Sequence, residues 1–169
     1  MHDELTQVDI DKMQAEIDER IRRRAELREM IRAAKELGDL SENDEYHSAR
    51  REFNKNNGRI DYLRSMIDTA VIIDTKSKKT EVGLFDKVTI LDEDADEGEE
   101  ERDVILVTTL RQDAINGFIS KESPLGKALM GRKSGERVKV EVNDRYSYFV
   151  TIKKITKGKD DTSLPISSF

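Results

Sequence analysis

No cysteine occurs among the 169 residues, and histidine occurs only twice. The first absence excludes disulfides and thiolate metal sites, and the second argues against a histidine-rich zinc centre. Any divalent metal would therefore have to be held by oxygen. No apolar run reaches the ~18 residues that a membrane-spanning helix needs. The opening Met1-His2-Asp3-Glu4-Leu5 has neither the basic nor the apolar segment of a secretory signal, so a soluble, cytoplasmic protein without membrane contact is expected. Charged residues make up 39% of the chain against 36% hydrophobic, so the core has to be economical, a composition that suits an elongated element.

What the chain does have is charge in bands. From Arg20 to Lys35, seven cations outweigh Glu26 and Glu29, net +5. Residues 36–45 then carry Glu36, Asp39, Glu42, Asp44 and Glu45, net −5. On the far side Arg50, Arg51, Lys55, Arg59 and Arg64 outweigh Glu52 and Asp61, net +3, while residues 1–19 hold seven acids and a single lysine. The overall −6 conceals this alternation.

The two basic bands sit on helical patterns. Tyr46, Ala49, Phe53, Asn56, Ile60, Leu63, Ile67 and Ala70 step by three and four, and Ile10, Met13, Ile17, Arg20, Arg24, Leu27, Ile31 and Ala34 do the same, so both segments carry heptad stripes. Pairing positions whose numbers sum to 80 aligns the stripes in one antiparallel register and places Arg24 opposite Asn56 and Arg20 opposite Ile60, a polar mid-seam. Gly38 supplies a helix stop, and Ser41 or Asp39 supplies a cap for the returning helix, each with an acid three residues on. The turn is thus expected near residues 38–42, at the end of an arm about 40 Å long.

Residues 1–74 therefore read as a helical hairpin, 75–80 as a polar linker and 81–156 as a small α+β domain. Residues 157–169 read as an aperiodic tail, expected to fray. Runs rich in β-branched and aromatic residues predict strands at Val82–Leu91, Asp103–Leu110, Glu136–Val142 and Tyr146–Ile155. Ser123 as N-cap, Pro124 in the first turn and Gly131 at the stop predict a short helix between them. Asp92–Asp103 holds nine acids without ligand spacing and reads as a solvated hairpin loop rather than a calcium site.

Asp39 and Glu42, three apart at the hairpin turn, are the candidate metal ligands. Mg²⁺ takes one or two carboxylates together with water and substrate phosphate, so such a pair works by completing a site that another macromolecule half provides. The simpler reading is that Glu42, Asp44 and Glu45 serve the helix N-terminus, at about 0.3–1 kcal/mol each. Helix stability alone leaves the acid-poor shafts around an acidic end unexplained. Tyr46 is read as the last seam layer and His47 as an exposed helical histidine.

The run Gly38-Asp39-Leu40-Ser41-Glu42-Asn43-Asp44-Glu45-Tyr46-His47-Ser48-Ala49-Arg50 resembles the tip signature of the bacterial Gre transcript-cleavage factors. The run Ile119-Ser120-Lys121-Glu122-Ser123-Pro124-Leu125-Gly126-Lys127-Ala128-Leu129-Met130-Gly131 resembles their C-terminal signature, so the likeness covers roughly residues 5–156. It implies an α+β two-domain protein, with an N-terminal antiparallel α-helical coiled-coil hairpin and a C-terminal FKBP-like antiparallel β-sheet domain carrying one short helix. It also implies that the arm enters the secondary channel of RNA polymerase, where Asp39 and Glu42 help hold a shared Mg²⁺ and promote hydrolysis of backtracked RNA by the polymerase itself.

On that reading the chain is not an enzyme, binds no cofactor tightly alone, and acts as a monomer. Arg20, Arg23, Arg28, Arg32, Arg50 and Arg51 are the residues for the channel and the nascent RNA 3′ end, and Ser120, Ser123, Pro124, Leu125 and Gly126 are those for polymerase docking. Leu125, Leu129 and Met130 are also explained by packing on the sheet. Family members carry Arg-Pro-Glu where this chain has Arg24-Ala25-Glu26, so a smoother first helix is expected here.

The rival reading is a Gre-like channel occupant that modulates the polymerase without promoting cleavage, suggested by Asp44 and Glu45. A prolyl isomerase is disfavoured: aromatics are 5% of the chain, tryptophan is absent, and the Tyr and Phe residues sit mostly at strand-like positions.

Overall fold

The computed structural model describes residues 3–93 and 98–167. The middle of the acid-rich run, residues 94–97, lies outside them. Two compact units emerge, Met1–Asp3 with Ile10–Val71 and Glu4–Asp9 with Ile72–Phe169.

The first unit is built on α1 (Gln7–Lys35) and α2 (Asp44–Thr69). With alanine rather than proline at position 25, α1 runs unbroken through Arg24 and Glu26, as its sequence leads one to expect. Met13, Ile17, Leu27, Ala34, Tyr46, Ala49, Ile60 and Leu63 of the two stripes are buried, while Ile10, Ile31, Phe53, Ile67 and Ala70 are half-buried.

The register differs from the sum-80 pairing. Asn56 donates to Arg20 O at 2.9 Å and accepts from Arg20 Nη1 at 3.3 Å, so it faces Arg20 rather than Arg24, one turn away. Arg59, also buried, donates from Nε and Nη2 to the two oxygens of Glu16 at 2.9 and 3.2 Å, and Arg23 reaches Glu52 at 2.7 Å. Apolar stripes tolerate a one-turn slip, whereas a buried amide and guanidinium do not, because each unpaired group costs about 1–3 kcal/mol.

Two short strands, β1 (Glu4–Leu5) and β2 (Val71–Ile72), form a two-stranded sheet. The main sheet has the order β5-β4-β3-β7-β6, from β3 (Lys87–Asp92), β4 (Glu100–Val107), β5 (Phe118–Ser120), β6 (Arg137–Asn143) and β7 (Tyr146–Thr156). Its neighbours are antiparallel except for the short edge pair β4–β5. The helix α3 (Pro124–Leu129) places Leu125 and Leu129 in the core with Val88, Ile90, Leu106, Val140 and Ile152. Ser123 Oγ accepts from Gly126 N at 3.0 Å, the cap its sequence announces.

Two expectations are corrected here. Val82–Asp86 is a buried turn rather than the start of a strand, with Phe85 at φ 65° and Asp86 Oδ2 accepting from Gly83 N at 2.7 Å. The tail expected to fray is held in place. Lys157 Nζ is ringed by Ser77 Oγ, Lys78 O, Glu81 O and Asp86 Oδ2 at 2.5–3.1 Å, and contacts continue as far as Ser167. Aperiodic segments give no signal of their own when they dock by single polar contacts instead of a face.

Burial pushes the Glu16 carboxyl up, but the hydrogen bonds and charges of Arg59 and Arg20 outweigh it and hold the group below its usual range. A depressed carboxyl stabilises the fold above its unfolded pKa, about 4.3, and that stabilisation is lost as pH falls through the lower folded value. Thermal melts followed by helix circular dichroism should therefore show a stability that declines on acidification below about pH 4. Glu16→Gln should flatten that decline, and an unchanged slope would contradict the assignment.

Candidate functional site at the hairpin loop

The loop between the helices spans residues 36–43. Its entry is Gly38 at φ 122°, a conformation that side chains rarely adopt. Asp39 Oδ1 then accepts from both the N–H and the hydroxyl of Ser41, each at 3.0 Å, an Asx turn that stiffens the apex of the loop. These bonds, the amide first, hold the Asp39 carboxyl below its usual range, so it stays ionised at neutral pH.

The cap of α2 is neither Ser41 nor Asp39 but Asn43. Its Oδ1 accepts from Tyr46 N at 3.0 Å, while its Nδ2 donates to Ala34 O, on the last turn of α1, at 2.6 Å. One amide thus satisfies an orphan donor of the second helix and a carbonyl at the end of the first. Overlapping capping patterns hide this, since Asp39, Ser41 and Asn43 are all good caps by type. The Ser41 hydroxyl and N–H are both spent on Asp39, whereas the Asn43 amide has an acceptor oxygen and two N–H donors free to reach both helices.

The five carboxylates divide by environment. Glu36 takes Arg32 at 3.0 Å, and Asp44 and Glu45 lie in the first turn of α2, where the helix dipole favours acids. Asp39 and Glu42 are both exposed in the loop itself, beside the exposed Leu37 and Leu40. Among the described residues no group of three or more His, Asp or Glu side chains converges to hold a metal ion. The donor chemistry of Asp39 and Glu42 fits Mg²⁺, with one Asp39 oxygen committed to Ser41, but a full site needs ligands from outside the chain.

The family description "Transcription elongation factor, N-terminal" matches residues 4–72, and the C-terminal description of GreA/GreB matches residues 76–157. The transcription elongation factor GreA of Oenococcus oeni is 37% identical over 150 residues, covering 88% of this chain and 91% of that protein. GreA of Streptococcus gordonii is 39% identical over 158 residues, covering 92% and 96%. The chain belongs to the GreA/GreB family of transcription elongation factors. Among solved structures, GreA factor homolog 1 (Gfh1) of Thermus thermophilus is similar at 21% identity and TM-score 0.44, over 93% of this chain and 100% of that one.

In this GreA/GreB family member the six candidate arginines of the arm are not equivalent. Arg20 is engaged by Glu16 at 2.7 Å, Arg23 by Glu26 and Glu52, and Arg32 by Glu29 and Glu36. Arg28 instead lies 5.9 Å from the Phe53 ring, and Arg50 donates to Tyr46 Oη at 3.0 Å. Lys35 lies 6.0 Å from the same Tyr46 ring, which His47 meets edge-on at 5.3 Å. Arg28, Lys35 and Arg50 thus gather around two aromatic rings. Arg51 is exposed on α2.

The candidate docking residues also sort by burial. Ser120 is buried, its hydroxyl 2.8 Å from Thr109 Oγ1, and Leu125 is 6% exposed within the core. Gly126 is buried against backbone, where an added Cβ would lie 2.1 Å from Ser120 O. Ser123 caps α3, and Pro124 is the exposed member of the group. Three of the five therefore shape the surface from below.

Asn43→Ala should cost about 1–2 kcal/mol of hairpin stability in urea titrations, because it removes a cap and the side-chain bond to Ala34 O, a carbonyl that keeps its bond from Leu37 N. Glu42→Ala should stay within about 0.5 kcal/mol of wild type. Equal effects would refute the division of labour between the two residues.

Proposed function

We propose that this protein is a transcript-cleavage factor. It inserts its helical hairpin into the secondary channel of RNA polymerase and stimulates the polymerase's own endonucleolytic cleavage of backtracked nascent RNA, which restarts arrested complexes. The observation that carries the reading is the pair of exposed carboxylates, Asp39 and Glu42, held in a stiffened loop between two long helices. Family membership supports the same conclusion.

Asp39 and Glu42 are the residues that would hold a Mg²⁺ ion shared with the polymerase. An ion held there would supply Lewis-acid polarisation of a phosphoryl oxygen and a water of lowered pKa. The chain's own contribution is to deliver two ionised oxygen ligands at low conformational cost. The Ser41 bonds hold Asp39 ionised, and Asn43 fixes the loop that presents both acids. The factor is a ligand donor rather than a nuclease, acts as a monomer, and touches the RNA 3′ end only within the elongation complex.

Arg28 and Arg50, with Lys35, are favoured over Arg20, Arg23 and Arg32 for phosphate contact, because the latter are spent on carboxylates. Releasing them would cost an ion pair before any phosphate is gained. On the second unit, Pro124 and Ser123 belong to the polymerase-docking surface, while Ser120, Leu125 and Gly126 give that surface its shape.

A stalled elongation complex with backtracked RNA tests the reading. Wild-type protein should shorten the RNA from its 3′ end. Asp39→Ala with Glu42→Ala should keep its helical signal and lose stimulation by about 100-fold, the scale of removing a preorganised electrostatic group. Arrest of synthesis without shortening would favour the rival channel occupant, for which the exposed Asp44 and Glu45 speak.

Arg28→Ala with Arg50→Ala should raise the concentration needed for half-maximal cleavage more than Arg23→Ala with Arg32→Ala does. Added salt should shrink that difference. The reverse order would discard the assignment of phosphate contacts.

A further inference from the structure

Residues 158–169 lie beyond the segments that match the family, yet the second unit has a seat built for most of them. Gly158 N donates to Asp86 Oδ1 at 3.0 Å, and a Cβ on Gly158 would lie 2.0 Å from Phe85 O, so the chain enters through a gap that only glycine fits. Asp160 then presents both oxygens to one guanidinium, with Arg111 Nη1 at 2.5 Å from Oδ1 and Nη2 at 2.6 Å from Oδ2. Four residues on, Leu164 packs with Leu84, Phe85 and Val107. The N–H and hydroxyl of Ser167 both donate to Leu110 O, at 2.7 and 2.8 Å.

Arg111 does not depend on Asp160 for charge balance. Its Nε donates to Asp9 Oδ1 at 2.6 Å, with both side chains at 0% exposure. Asp9 is itself fixed by the first turn of α1, where Thr6 N donates to Asp9 Oδ2 and Asp9 N to Thr6 Oγ1, at 3.0 and 3.2 Å. The Phe85 ring lies 5.2 Å from the guanidinium. One carboxylate neutralises the arginine, and the second is surplus. Withdrawal of Asp160 leaves a satisfied ion pair with an open two-pronged fork, not the stranded charge that makes breaking a buried pair costly. Asp160 Oδ2 also accepts from Thr6 Oγ1 at 3.3 Å, and Arg111 Nη1 donates to Asp161 O at 3.0 Å, so the outer acid and its neighbour share the same fork.

We propose that the Arg111 fork and the apolar cleft beside it form a docking site for an acidic peptide segment, a carboxylate followed four residues later by a leucine-sized side chain, which residues 160–164 of the chain itself fill in cis. The external occupant is a segment of another protein with that chemistry. The bidentate fork selects the carboxylate, and the cleft of Leu84, Phe85 and Val107 selects the apolar residue. A short tether gives the tail a millimolar-scale effective concentration, so an external segment enters only as the tail swings out. The site is independent of the hairpin loop and of the function proposed for it.

Full-length protein carrying Asp160→Asn and Leu164→Ala keeps the Asp9–Arg111 pair and weakens the cis occupant. The probe is a fluorescein-labelled peptide of residues 157–167, read by anisotropy. It should bind this variant at least about tenfold more tightly than wild type, and an Asp160→Asn version of the peptide should lose about tenfold. Equal binding by both proteins, equal binding of both peptides, or no binding to a variant with a native circular dichroism spectrum would overturn the proposal.

If the variant does not fold, hydrogen exchange on wild-type protein decides the matter. An exchangeable tail should release the amides of Gly158 and Ser167 about 100-fold faster than that of Ile152 in the sheet. Equal protection would make the tail a permanent part of the domain and end the proposal.

Discussion

The side-chain amide of Asn43 is the contact on which the rest of the hairpin depends. A helix end leaves carbonyls unpaired and a helix start leaves N–H groups unpaired, and a tight reversal brings the two deficits together. An asparagine placed between them bonds to both helices, accepting from Tyr46 N and donating to Ala34 O, which also accepts from Leu37 N. No carboxylate or hydroxyl of the loop has to turn inward to do that work. Asp39 is left to make a local turn with Ser41, and Glu42 stays exposed in the loop.

Below the loop, the hairpin trades apolar area for polar specificity. Its seam buries Met13, Ile17, Ile60 and Leu63 on one side and Leu27, Ala34, Tyr46 and Ala49 toward the loop, with a polar cluster of Asn56, Arg59, Arg20 and Glu16 set among them. Such a layer contributes little net stability, since desolvating the guanidinium offsets much of the attraction to Glu16. Its value lies in making other registers worse. A slip by one turn would leave the Asn56 amide and the Arg59 guanidinium buried without their partners.

Much of this was legible in the residues, and the exceptions have physical causes. Heptad spacing disclosed the two helices, and the alternating charge disclosed an acidic turn between basic shafts. Ser123, Pro124 and Gly131 disclosed a short helix almost to the residue. Register was not legible, because periodicity is nearly blind to a one-turn slip and the deciding contacts run from side chain to carbonyl. The cap was not legible because Asp39, Ser41 and Asn43, at alternate positions of one loop, all suit it by type and only geometry selects the one that bonds both helices. Nor was the docked tail, which is held by a fork, a glycine gap and one leucine, features that have no period. For the arginines, counting charges overestimated how many are free, since i,i+3 and i,i+4 acids already engage Arg20, Arg23 and Arg32.

Those paired arginines bear on a difficulty that any acidic apex on a basic arm must meet. Long cationic side chains within a turn or two of Asp39 and Glu42 could fold over and neutralise them, leaving nothing to offer a metal. The nearest cations are turned to other neighbours: Arg32 pairs with Glu29 and Glu36, while Lys35 and Arg50 lie against Tyr46 without being neutralised by an acid of the loop. Glu36 therefore contributes to the loop's acidity chiefly by occupying Arg32. Tyr46 does the same for Lys35 at the end of α1 and Arg50 on α2 while its ring closes the seam. Glu36 is spent on Arg32, Asp44 and Glu45 sit on the first turn of α2, and Asp39 and Glu42 are the two acids of the loop itself, where the apex keeps its charge because neighbouring cations have other partners.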